Sequence, residues 1–159
     1  MITLVLGGAR SGKSAVAERL VAELGMSVVY VATAEVSDAD FAARVAAHQA
    51  RRSSTWSTVE CGDVPSALRH HPDGAMLVDS LGTWIARQRD FDVDIPELLS
   101  ALAERRGPTV LVSEEAGLGV HPESAAGRRW RDVLGDVNQA VAAVADVALL
   151  VVAGRVVTL

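Results

Sequence analysis

Residues 7–14, GGARSGKS, have the types and spacing of a phosphate cradle. The pattern G-x-x-x-x-G-K-S sits between an apolar stretch that reads as a strand and an Ala-, Val-, Leu- and Glu-rich stretch that reads as a helix, the context the motif needs. Across Gly7, Gly8, Ala9, Arg10, Ser11 and Gly12 the glycines let the backbone turn so that successive N–H groups of the loop point at phosphate oxygens. The positive end of the following helix adds to that attraction. Lys13 supplies a point charge to the β and γ phosphates of a nucleoside triphosphate, and the Ser14 hydroxyl suits Mg²⁺, with a carboxylate at the end of a neighbouring strand as second anchor. Asp79, which ends an apolar run, fits that duty. Glu114 and Glu115 are rivals for it, and a structural or capping role for Asp79 stays open.

A second constellation lies in DADFAARVAAHQARR, residues 38–52. Helical spacing puts Arg44, His48 and Arg51 or Arg52 on one face, because residues three and four apart are neighbours on a helix. Positive neighbours disfavour the imidazolium form of His48 while the arginines attract phosphate. A neutral imidazole beside a bound phosphate can attack phosphorus and split a nucleotidyl transfer into two displacements through a nucleotidyl-histidine. A solvated helix carrying a surface histidine has the same spacing, so spacing leaves both readings open.

The elements that must position these groups follow from hydrophobic patterning. Five apolar runs, at residues 2–6, 28–32, 75–79, 109–113 and 148–153, are continuous rather than alternating, as strands buried on both faces are. The segments between them are long enough for crossover helices. Helices are expected over residues 13–24, from Ser37 toward Arg51, and over 65–69, 81–89, 95–106 and 124–145. The fold class is therefore α/β: a P-loop NTPase-type three-layer sandwich with a mostly parallel central sheet and helices on both faces. At 159 residues the chain is expected to be one domain over residues 1–159.

Composition narrows the partners. A net charge of −5 argues against a protein whose main work is to grip nucleic acid. Cys61 is the single cysteine, which excludes an intrachain disulfide and a cysteine-built zinc site. The opening apolar run is too short for a membrane span, so a cytoplasmic protein without stable membrane insertion is expected. Arg128, Arg129 and Arg131 read as a solvated helix face; His70, His71 and His121 lack metal-ligand spacing. Trp56, Trp84 and Trp130 read as packing residues, and Cys61 as a small buried one.

Several of these segments together resemble a known family. GGARSGKS, YVATA, the R-V-x-x-H-x-x-R-R stretch around His48, TVEC at 58–61, EAGLGVHPE, R-R-W-R-D and V-N-Q occur in the order found in adenosylcobinamide kinase / adenosylcobinamide-phosphate guanylyltransferase. The resemblance spans residues 1–154. It implies phosphorylation of a corrinoid hydroxyl by ATP or GTP, followed by transfer of GMP from GTP to that phosphate, with His48 as the guanylylated residue. By the same resemblance Ala32, Thr33, Ala34, Gln49, Ala50, Arg51, Arg52 and Glu60 fall in GTP-binding segments, adenosylcobinamide is the small-molecule substrate, and the assembly is a homotrimer. The chain departs from the family pattern at Glu114, where Asn is usual, at Ser124, at Asp136 and in the segment after Asp79.

Overall fold

The computed structural model describes residues 1–34 and 55–159. Seven strands, β1 (Ile2–Gly7), β2 (Val28–Ala32), β3 (Ser57–Glu60), β4 (Ala75–Asp79), β5 (Thr109–Glu114), β6 (Val147–Val152) and β7 (Arg155–Thr158), form one sheet in the order β3-β2-β4-β5-β1-β6-β7. Every pairing is parallel except β6 with β7. The five expected runs are all strands; β1, β2, β4 and β5 are largely buried because helices cover both faces, whereas β6 is buried at Leu149 and Val151 and exposed at Val147 and Val152.

Alternation within each run sends successive side chains to opposite faces. Val5, Leu77, Val110 and Val112 pack with Val16, Ala17 and Val21 of helix α1 (Lys13–Ala22). Leu4, Leu6, Met76, Val78 and Leu111 pack on the other side against α2 (Val64–His70), α3 (Leu81–Arg87), α4 (Ile95–Glu104) and α5 (Ala125–Val144). The three-layer arrangement is thus present among the described residues. The helix expected from Ser37 toward Arg51 lies outside them.

Caps set the helix starts. Asp63 accepts from Ser66 N at 3.0 Å, Asp94 from Glu97 N at 2.9 Å and Ser124 from Gly127 N at 3.0 Å, each satisfying an amide that has no partner within its helix. Helix α3 ends at Arg87 rather than 89, and a short 3₁₀ turn, Arg89–Phe91, follows. Helix α4 stops at Glu104, two residues before the expected end: the Arg105 guanidinium turns inward to His71 O, to Gly74 O at 2.8 Å and to Thr109 Oγ1 at 2.7 Å.

Two strands escape the sequence patterning. β3 is an edge strand with three of four residues exposed, and β7 is exposed throughout, so neither carries an apolar run. The β6–β7 turn is made by Ala153 at φ 51° and Gly154 at φ 75°, the two left-handed residues of a tight hairpin.

Candidate functional site

In a parallel sheet all strands end on the same edge, so Gly7, Ala32, Glu60, Asp79 and Glu114 are brought to one rim by register alone. Ala32 lies opposite both Asp79 and Glu60, and Gly7 lies opposite Glu114. The phosphate-cradle sequence leaves this rim from β1. Its backbone passes through left-handed conformations at Arg10, φ 56°, and Gly12, φ 93°, and Gly12 opens α1 without any side-chain cap. An L-residue at Gly12 would be strained, and its Cβ would stand 3.5 Å from Gly154 Cα. Ser11 N donates to Gly8 O at 3.2 Å, while Gly154 N donates to Ser11 O at 2.8 Å. The β6–β7 turn therefore fastens the loop, a contact that no local sequence signal announces.

Lys13 begins α1 and is mostly buried, its side chain 13% exposed. Its ammonium donates to Gly8 O at 3.4 Å and stands 3.7 Å from Glu114 Oε1. Ser14 follows in the first turn. Asp79 is not on a strand next to β1: β5 intervenes, so β4 lies roughly 10 Å from β1 at ordinary strand spacing. Its Oδ2 accepts from the Tyr30 hydroxyl at 2.8 Å. Glu114, at the end of the strand between, is the carboxylate that the fold brings to the loop lysine, and sequence order could not reveal that. Among the described residues no cluster of three or more His, Cys, Asp or Glu could hold a metal ion by itself. One hydroxyl and one carboxylate fit Mg²⁺, which takes its remaining ligands from phosphates and water.

Thr33 is fully buried and its polar groups are engaged inside the protein. Its hydroxyl donates to Ser80 O at 2.7 Å and accepts from Ser80 N at 2.7 Å; its amide donates to Asp79 O and its carbonyl accepts from Arg87 at 3.1 Å. Ala32 and Ala34 flank it, partly exposed, and Glu60 is exposed at the end of β3. Ser80, missed in the sequence, caps α3 through Thr83 N and donates to Glu114 Oε1 at 2.8 Å. It thereby links the Thr33 cluster to Glu114 and Lys13. His48, Gln49, Ala50, Arg51 and Arg52 lie outside the described residues. Between the β5 exit and α5, a groove of about 590 Å³ lined by Leu6, Glu115, Arg131 and Asn138 reaches the base of the loop, where Glu115 N donates to Gly7 O.

The remaining residues weighed from sequence take structural places. Trp84 is buried, and Trp130 packs beside it while donating to Gly82 O at 3.0 Å. His121 pairs with Arg131 at 2.7 Å and His70 with Ser66 on its own helix. Cys61 is only partly buried, because its thiol turns to Asp63 O at the rim instead of entering the core.

Comparison with known proteins covers nearly the whole chain. Residues 3–159 match the family described as cobinamide kinase / cobinamide phosphate guanyltransferase. The bifunctional adenosylcobalamin biosynthesis protein CobP of Pseudomonas aeruginosa is 40% identical, over 97% of this chain and 94% of its own length. The protein CobU of Salmonella typhimurium, of the same description, is 36% identical over 97% of each chain. Among solved structures, the flagellar accessory protein FlaH of Methanocaldococcus jannaschii superposes with a TM-score of 0.54 at 16% identity, over 98% of this chain and 74% of that one. An ATPase of a bacterial type III secretion system gives a TM-score of 0.59 at 12% identity, over 94% and 50%. These two likenesses concern the fold.

Proposed function

The chain belongs to the cobinamide kinase / cobinamide phosphate guanyltransferase family, and from that premise we propose that it phosphorylates adenosylcobinamide with ATP or GTP and then transfers GMP from GTP to adenosylcobinamide phosphate, yielding adenosylcobinamide-GDP. The observation that carries the reading is the loop of residues 7–14, with a left-handed Gly12 leading into an uncapped helix and Lys13 at its first position. Loop amides and Lys13 hold the triphosphate, and a bound triphosphate at that rim is what both half-reactions consume. Ser14 and Asp79 would hold Mg²⁺, which when bound neutralises charge developing on the phosphates.

In the guanylyl half-reaction an imidazole nitrogen of His48 attacks the α-phosphorus of GTP. The P–N bond forms, the bond to the bridging oxygen breaks and pyrophosphate leaves. An oxygen of the corrinoid phosphate then attacks the same phosphorus and releases the imidazole. Gln49, Ala50, Arg51 and Arg52 accompany His48 at the nucleotide. Ala32 and Ala34 flank it from the rim, with Thr33 anchoring the turn between them, and Glu60 is suited to accept from the guanine edge. The working unit is a single-domain chain in a cytoplasmic homotrimer by the family resemblance. No described helix is long and apolar enough to cross a membrane, and a net charge of −5 disfavours nucleic acid as partner.

Incubation with GTP labelled at the α-phosphorus tests this. The protein should acquire label that is acid-labile, alkali-stable and absent from His48→Ala, and adenosylcobinamide phosphate should discharge it. Phosphorylation of adenosylcobinamide without any labelled protein would reduce the assignment to a plain kinase.

A further inference from the structure

Resting on the reading of residues 7–14 as a triphosphate site, we infer that Glu114 is a positioning residue acting through Lys13: its carboxylate holds the ammonium when no nucleotide is bound, and an incoming triphosphate must displace it. Register provides the geometry. Because β5 is inserted between β4 and β1, Glu114 is the residue opposite Gly7, and its side chain reaches to 3.7 Å from Lys13 Nζ.

The carboxylate has a built seat. Oε2 lies against Gly82, where a Cβ would come within 2.0 Å of it, so only glycine leaves the notch open. Trp130, donating to Gly82 O at 3.0 Å, holds the floor of that notch. The two oxygens are treated unequally. Oε1 accepts from Ser80 Oγ at 2.8 Å and faces Lys13, whereas Oε2 is buried with no hydrogen-bond partner. A buried acceptor without a donor is unfavourable, so Ser80 and the Lys13 charge on the Oε1 side are what the described structure offers to compensate this carboxylate, and withdrawing Lys13 from it is costly.

An ammonium has three donors and no acceptor. Phosphate oxygens compete with Gly8 O for these donors and with the Glu114 carboxylate for the charge, and once they win, Glu114 is left close to the phosphates without its counter-ion. The chain therefore binds triphosphate more weakly than its loop alone would allow.

Titration calorimetry with GTP on the folded full chain tests this. Glu114→Gln keeps the acceptor for Ser80 and removes the charge. It should bind GTP about tenfold more tightly, the size expected for deleting one unit charge near a partly screened triphosphate. Glu114→Asn, which also removes the charge, should do the same. GMP, lacking β and γ phosphates, should show no more than a twofold change, and in a Lys13→Met background the gain for GTP should fall at least threefold. The gain should appear with and without Mg²⁺. Unchanged GTP affinity in both folded variants would overturn the inference. So would weakening confined to Mg²⁺-containing buffer, which is the mark of a metal ligand. Wild-type protein that bound no GTP would instead sink the reading of the loop, and the inference with it.

Discussion

The Ser80 hydroxyl, on a residue 3% exposed, serves two elements at once. It accepts from Thr83 N at 3.3 Å at the start of α3 and donates to Glu114 Oε1 at 2.8 Å across the rim. Ser80→Ala removes both. The cap bond is long and falls at the low end of the usual range, about 0.5 kcal/mol. The bond to a carboxylate contributes about 1.5 kcal/mol, because its partner is ionised and mostly shielded from water. The sum, roughly 2 kcal/mol, lowers Tm by about 4–8 °C in a chain of this length. Ser124→Ala is the internal control: that serine caps α5 at an exposed position and reaches no carboxylate, so about 1 kcal/mol is expected. Urea unfolding of both variants, and of Ser80→Ala in a Glu114→Gln background, separates the terms. The charged-partner part should shrink by about 1 kcal/mol when the carboxylate is replaced by an amide. Equal losses for Ser80→Ala and Ser124→Ala, together with strict additivity in the cycle, would refute the claim that Ser80 ties α3 to Glu114.

Three further predictions concern stability and titration elsewhere. Gly107→Ala places a Cβ 1.9 Å from the Gly74 carbonyl oxygen, backbone that cannot swing aside, and should destabilise by roughly 1–3 kcal/mol. Gly135→Ala, in the interior of α5 with nothing within 4 Å, should instead stabilise by about 0.5–1 kcal/mol in the same thermal scan. The Asp73 carboxylate, hydrogen-bonded by the Arg106 guanidinium, titrates below its ordinary 3.8. A depressed folded pKa contributes stability above the unfolded value that is lost as pH falls through the folded one. NMR titration should therefore find Asp73 below 3.8 in the wild type and back near it in Arg106→Gln, with any stability difference between the two vanishing in acid.

Much of this protein is written locally. Continuous apolar runs of five or six residues bounded by turn residues and charges suit strands covered on both faces, so all five could be read as strands, and Asp63, Asp94 and Ser124 mark helix starts because their side chains satisfy amides a few residues away. The phosphate loop is equally local: glycines, Lys13 and Ser14 act within one turn of chain. Arg105 is different, since a charged residue after a helix gives no hint that it will turn inward to the carbonyls of 71 and 74 and cut the helix short.

Residue order determined which segments are buried, where the helices begin and where a triphosphate can be cradled, because each depends on neighbours along the chain. The tertiary structure alone decided that β5 stands between β4 and β1. That placement brings Glu114, not Asp79, to Lys13; the β2–β4 pairing joins Thr33 to Ser80 across 47 residues, and the β1–β6 pairing lays the β6–β7 turn against Ser11. Apolar runs encode burial without encoding which strand lies beside which, and that order is set by how the helices pack over the sheet.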